Sequence, residues 1–306
     1  MIEVAQRIAA LAATAGLAFA ARDTFSLRLV RRRLVVETLP AALDGLRVLH
    51  VSDIHAGFGP GLSLLARTIE IAQRERPELI VVTGDLVTRR RASRRATALL
   101  DRLADQATEG AFAVLGNHDV GCANDPFAQG WDPVLERLVL LDGDSTTIEI
   151  RGTRVDVAGV SARAYLAGVP TAELVPAPPD PAGDLSLLLC HFPIVAERLP
   201  PGAADVVFCG HLHGGQICLP RPGGRVSLAH PKEGTGPAVS VRGGTVTHVS
   251  GGIGTTFVPV RFLARAETSL LTLVSPGDRA GAPLFSLHAR APSDGSDRAD
   301  PPDRLP

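Results

Sequence analysis

Seven side chains of metal-ligating type stand at the ends of short apolar runs in this sequence: Asp53, His55, Asp85, Asn117, His191, His211 and His213. They fall in five blocks: Asp53-Ile54-His55, Gly84-Asp85, Gly116-Asn117-His118-Asp119, His191 and Gly210-His211-Leu212-His213. Carboxylate, amide oxygen and imidazole suit hard or borderline divalent ions, with Mn, Fe and Zn as candidates, and no thiolate stands at zinc-finger spacing. Asp53 and His55 lie two apart, as do His211 and His213, so at a strand-to-loop transition each pair presents its side chains to one side. A two-metal hydrolytic centre needs a ligand shared by ions about 3.5–4 Å apart, and a carboxylate with two oxygens serves better than imidazole. Asp85, alone at its strand end, is the bridging candidate. A water or hydroxide held between two cations has a lowered pKa and becomes nucleophilic near neutral pH, so such a centre suits hydrolysis.

The elements that must position these blocks are strands. Apolar β-type runs at 46–52, 79–83, 112–115, 185–190 and 205–209 each end on one block. Ligands of open α/β sheets gather at the carboxyl ends of strands, so the five blocks are expected to converge. Helical patterns at 62–76 and 92–107 alternate with the first three runs, which favours right-handed, largely parallel connections. Further strand-type runs stand at 146–150, 154–159, 238–241, 245–249 and 269–274, residues 176–181 read as a loop, and no internal repeat is visible. From 276 to 306 Pro, Gly, Asp, Arg and Ser dominate and apolar periodicity stops, so a disordered tail is expected.

The five blocks, in this order, resemble the motifs D-x-H, GD, GNHD, H and GHxH of calcineurin-like metallophosphoesterases. The flanks Val51-Ser52, Thr83 with Leu86-Val87, and Gly214-Gly215-Gln216 look like a bacterial, often membrane-linked phosphodiesterase subgroup, as do Ser250 to Thr255 and Pro259-Val260-Arg261-Phe262. The resemblance covers roughly residues 36–275. It implies an α/β fold, a four-layer α-β-β-α sandwich of two mixed sheets with a dinuclear site at strand ends. It also implies that Asp53, His55 and His213 hold one ion, that Asn117, His191 and His211 hold the other, and that Asp85 bridges them. His118 would then be the histidine beside the ligands, placed to protonate the leaving oxygen or to stabilise charge on phosphorus. Asp119 either orients that imidazole or caps a loop. The implied activity is metal-dependent hydrolysis of phosphoester bonds, by a phosphodiesterase using a metal-bridging hydroxide. The alternatives are a pyrophosphohydrolase resembling UDP-diacylglucosamine hydrolases and a catalytically weak metal-bound scaffold.

Composition narrows the partners. The 306 residues are 45% hydrophobic, enough for a substantial core, and one motif set argues for one catalytic domain. Aromatics make up only 4% and the formal net charge is −1, which argues against a base-stacking nucleic-acid surface. The substrate is expected to be a phosphoester, with a lipid-linked one as a candidate. Residues 8–21 form an apolar run between Arg7 and Arg22, and Arg31-Arg32-Arg33 follows it, so residues 1–35 are expected to form an apolar helix and a basic linker ahead of the 36–275 domain. Fourteen residues are short of the roughly 20 that a membrane span needs. The run fits three readings: a retained helix in peripheral membrane contact through residues 1–35, a cleaved signal segment, or a helix docked on its own domain. The resemblance favours the first, which places the protein on a membrane or in the cytoplasm rather than exported. Cys190 and Cys209 read as small buried residues beside the site. Specificity is expected from the loops at 57–61, 89–95, 122–131, 161–169 and 219–237, with Arg163 read either as a phosphate clamp or as a surface arginine.

Overall fold

The computed structural model describes residues 2–121, 127–177, 183–222, 224–231 and 238–278. It opens with helix α1 (Ile2–Phe25) and strand β1 (Arg28–Val35), then alternates β2 (Arg47–Val51), α2 (Gly61–Glu75), β3 (Leu79–Thr83), α3 (Ser93–Ala104) and β4 (Gly110–Val114). Next come one turn of helix, α4 (Asn117–Val120), strands β5 (Val139–Leu140), β6 (Ser145–Ile150) and β7 (Thr153–Gly159), and short helices α5 (Ala162–Leu166) and α6 (Thr171–Leu174). The remainder is β8 (Leu185–Cys190), α7 (Pro193–Arg198), β9 (Val206–Cys209), the hairpin β10 (Cys218–Arg221) and β11 (Gly224–Ser227), then β12 (Val239–Arg242), β13 (Thr245–Val249) and β14 (Glu267–Val274).

Two six-stranded sheets result, in the orders β1-β14-β2-β3-β4-β5 and β12-β13-β9-β8-β7-β6. Both are mixed: β2 through β5 run parallel while β14 opposes β2, and β7, β8, β9 and β13 run parallel between antiparallel edges β6 and β12. Strand alternation explains how the sheets stack. Along β2, Val48 joins the core between the sheets, with Val81, Leu187, Phe208 and Leu271, while Leu49 and Val51 join the outer core against Leu64, Leu65 and Leu100 of α2 and α3. On the outer face of the second sheet, Leu188 and Val207 share a core with Val195 of α7. Helices therefore cover outer faces of both sheets, and the four-layer α/β sandwich is the observed architecture. A polar clasp crosses the apolar seam: His50 of β2 and His248 of β13, both fully buried, bring their Nδ1 atoms 2.8 Å apart.

The first 35 residues differ from the helix and basic linker expected there. The helix adds six residues before the apolar stretch and four after it, and Arg28–Val35 is a full edge strand registered against Glu267–Val274. Three consecutive arginines hid it. On an edge strand charged side chains are acceptable and guard against pairing with other chains, and here Arg31 leaves the sheet to meet Glu75 at 2.6 Å. Among the described residues no helix is long and apolar enough to cross a membrane. The expected tail lies, from residue 279 on, outside the described residues, as do parts of the loops at 122–131, 176–181 and 219–237.

Candidate metal centre

All seven ligand-type residues converge where β2, β3, β4, β8 and β9 end. Five sit in backbone conformations that side chains rarely adopt: Asp53 (φ 52°), His55 (φ 49°), Asp85 (φ 53°), His211 (φ 75°) and His213 (φ 52°). Each left-handed residue costs on the order of 1–3 kcal/mol, a strain that persists where the surroundings over-determine it and that clusters at functional sites. Paired backbones supply that constraint. The Asp53 amide donates to Gly84 O (3.0 Å), and the His55 amide donates to Asp85 O (2.8 Å). Gly116 permits a close approach to Asp85, since a Cβ there would lie 2.2 Å from Asp85 Oδ1.

The donor atoms form two groups with one member in common. In the first, His55 Nε2 lies 3.0 Å from His213 Nε2 and 3.4 Å from Asp85 Oδ2, and His213 Nε2 lies 3.5 Å from Asp53 Oδ1. One ligand atom from each of Asp53, His55, Asp85 and His213 falls within 4.8 Å of the others. In the second, His191 Nε2 is 3.2 Å from Asn117 Oδ1, 3.2 Å from His211 Nδ1 and 3.4 Å from Asp85 Oδ2. Ligands bound at about 2.1 Å lie roughly 3.0 Å apart in an octahedron and 3.4 Å apart in a tetrahedron, so the spacing suits ion-sized gaps. The donor set fits divalent metal ions.

Electrostatics reinforce that fit. Burial pushes Asp53 up to about 6, with His191 opposing and Asp85 adding to the rise. Burial also works to raise Asp85, but the imidazoles of His191 and His118 outweigh it and hold that carboxyl well below the usual carboxylate range. Burial resists charge on His191, yet Asp85 and then Asp53 push it up to about 10. These opposed shifts make Asp85 and His191 a buried ion pair, with His191 Nε2 3.4 Å from Asp85 Oδ2. His55, His211 and His213 are held well below 6.5, chiefly by burial, and are neutral as ligands need to be.

The groups around the ligands hold them in place. His55 Nδ1 meets Thr88 Oγ1 at 2.8 Å, and His191 Nδ1 meets Thr83 O at 2.9 Å, which leaves both Nε2 atoms facing the site. His118 is buried beside the first group, its ring edge-on to His55 at 4.5 Å, with Thr88 and Thr256 hydroxyls each 3.4 Å from a ring nitrogen. Its main-chain amide donates to Asp85 Oδ1 at 2.9 Å. Asp119 accepts from three backbone amides, Gly116 (2.9 Å), Leu86 (3.0 Å) and Val87 (2.8 Å), and so ties the Asn117 loop to the Asp85 loop. That is the loop-capping geometry; burial raises its pKa to about 6.

Sequence reasoning assigned no role to Thr88, Thr256, His230 or Arg261. Arg261 is wholly buried and donates to Gly254 O (2.7 Å), His213 O (3.0 Å) and Ala264 O (3.1 Å), locking the last ligand loop. Its signal was faint, a single arginine in an apolar run. The His230 ring lies 4.5 Å from that of His211, and burial lowers its pKa to about 4. Arg163 points elsewhere, paired with Asp132 and, at 3.4 Å, with Asp142. Cys190 and Cys209 are free, buried and paired in register on adjacent strands.

A sandwich of two mixed sheets with Asp, Asn and His side chains of ligand type gathered at its strand ends is the arrangement of a metal-dependent phosphoester hydrolase of the calcineurin-like kind. Residues 46–215, more than half of the chain, match the calcineurin-like phosphoesterases, and the chain belongs to that family. It is 28% identical over 246 residues to YkuE of Bacillus subtilis, an uncharacterized metallophosphoesterase, covering 78% of this chain and 82% of that one. It is 26% identical over 249 residues to phosphodiesterase YaeI of Escherichia coli, covering 80% and 88%. A transmembrane protein with a metallophosphoesterase domain from Danio rerio is 28% identical over 233 residues, covering 69% of this chain and 49% of that one.

Proposed function

We propose that the protein is a phosphodiesterase with a dinuclear centre. Asp53, His55 and His213 would hold one ion and Asn117, His191 and His211 the other, with Asp85 shared and Mn, Fe or Zn as the metal. The observation that carries this reading is the position of Asp85 Oδ2, 3.4 Å from both His55 Nε2 and His191 Nε2. When bound, such ions supply Lewis-acid polarisation of phosphate oxygens and a water of lowered pKa. The chain's own part is placement and proton delivery. His118 acts on the leaving oxygen as proton donor, its ring set by Thr88 and Thr256 and its backbone by Asp85. Asp119 positions His118 through the loop it caps.

The relative named as a phosphodiesterase supports a diester substrate, and the surface near the site supports a lipid-linked one. Phe257, Val258, Val260 and Leu263 are exposed on the segment that follows Thr256, and α1 exposes Leu11, Leu17, Phe19 and Phe25. Thr24 of α1 joins the two, accepting from the Arg261 amide at 2.8 Å. Peripheral membrane contact through this face would present headgroup phosphates to the centre. The test is hydrolysis of bis(p-nitrophenyl) phosphate and p-nitrophenyl phosphate by metal-stripped protein, with Mn, Zn, Fe(II), Ni or Mg restored singly. Metal-restored turnover that favours the diester is expected; preference for the monoester would overturn the phosphodiesterase reading.

A further inference from the structure

Behind the metal centre lies a cavity of about 640 Å³ between α1 and the sheet edge. Five guanidinium groups line it, from Arg22, Arg28, Arg32, Arg225 and Arg265, against two carboxylates, Asp23 and Glu267. Glu267 is already engaged by Arg28, and Arg265 is tied to the backbone of Ser26 at 3.0 Å. Arg22 and Arg225 have no acidic partner among the described residues. Arg32 brings an Nε that is buried without a hydrogen-bond partner, although a buried charged donor left unmet is costly. An excess of three positive charges and an unmet guanidinium donor describe a place built for a multivalent anion. Apolar walls at Phe19, Val249 and Leu263 leave room for what the anion is attached to. Gly214 and Gly251 also line the cavity, so it reaches the backbone next to His213.

We propose that this cavity is a phosphate-binding site distinct from the metal centre, recruiting a phosphate group to the junction of α1 and the catalytic domain. The arginines converge from α1, β1, β11 and the approach to β14, so a bound phosphate cross-links four parts of the fold. The ligand is a free phosphate compound or the headgroup of an anionic lipid, and experiment separates the two. The full metal-loaded chain is titrated with inorganic phosphate by calorimetry at low ionic strength. It is also floated with vesicles of phosphatidylglycerol or of phosphatidylcholine. Wild type, Arg22→Gln/Arg225→Gln, and the charge-matched control Arg74→Gln/Arg102→Gln, whose arginines are exposed on α2 and α3, are compared.

The expected result is a phosphate site, additional to any at the metal centre, that the cavity variant weakens by about a hundredfold, tenfold for each charged contact. The control keeps it, and both variants hydrolyse bis(p-nitrophenyl) phosphate as wild type does. Phosphatidylglycerol capture lost only in the cavity variant, with no effect on free phosphate, supports the same site with a lipid headgroup as its ligand. Indifference of both phosphate and vesicle binding to the cavity variant, or equal loss in the control, would overturn the proposal. The outcome is independent of whether the metal centre prefers diesters.

Discussion

Replacing Asp85 with Asn is the sharpest perturbation of the centre, because it changes charge with almost no change in shape. Asn retains an oxygen that can accept the His118 amide, now at 2.9 Å from Asp85 Oδ1, so the loop after β4 keeps its anchor. The first donor group falls from two carboxylates to one, since Asp53 remains. The second loses its sole carboxylate and is left with the amide of Asn117 and the imidazoles of His191 and His211. Altering a residue that merely orients a metal ligand typically costs 10- to 100-fold in affinity or activity, so loss of a shared anionic ligand sets roughly 100-fold as the minimum fall in turnover. On the dinuclear reading proposed above, metal content should drop from two ions per chain to about one after dialysis against micromolar metal, with the second group emptied. Elemental analysis and hydrolysis of bis(p-nitrophenyl) phosphate are measured on the same sample, with circular dichroism as the folding control. Two tightly held ions with turnover within tenfold of wild type would refute the assignment of Asp85 as the shared ligand.

Three further outcomes follow from the geometry. His118→Ala should keep both ions and lose roughly 10²- to 10⁴-fold in rate, most severely on substrates with poor leaving groups, and a rate loss that tracks metal loss would contradict its role as donor. Metal binding should release protons: His191, raised to about 10, is charged at neutral pH in the metal-free protein but must be neutral to ligate, so affinity climbs about tenfold per pH unit through that range. Calorimetry in buffers of differing ionisation enthalpy reads the protons directly, and buffer-independent heats would refute it. Arg261→Met removes three buried charge-assisted bonds, so a loss of about 3 kcal/mol or more is expected in urea unfolding even after relief of the buried charge. An unchanged midpoint would show that the last ligand loop is held by other contacts.

The strand endings and the ligand-type residues gathered there were readable in the sequence because the two coincide. The runs ending at Thr83, Cys190 and Cys209 are almost wholly apolar, with Thr83 and Ser186 the exceptions, as strands covered on both faces tend to be, and each is followed at once by a block of ligand-type residues. Two kinds of feature escaped. Arg28–Val35 reads as a basic linker because edge-strand stability comes from its partner strand more than 230 residues away, which local composition cannot register. Thr88, Thr256 and Arg261 act by hydrogen bonds across long sequence gaps, and hydroxyls and single arginines carry no spacing signature of their own. The hairpin at Cys218–Ser227 was hidden likewise within a segment that reads as loop.

The order of strands in the first sheet governs when the site can exist at all. β14 is inserted between β1 and β2, so the earliest strand of the domain has no neighbour until the latest one has been synthesised. On the ribosome, β2, β3 and β4 can gather ligands from Asp53 to Asn117 long before residues 250–267 emerge to brace them through Arg261 and the Ser250–Gly254 turn. At about 5–20 residues per second, the growing chain spends several seconds with half of its histidines and carboxylates displayed but not yet locked. A truncated product ending before residue 250 would thus carry the whole motif set without the contacts that brace it.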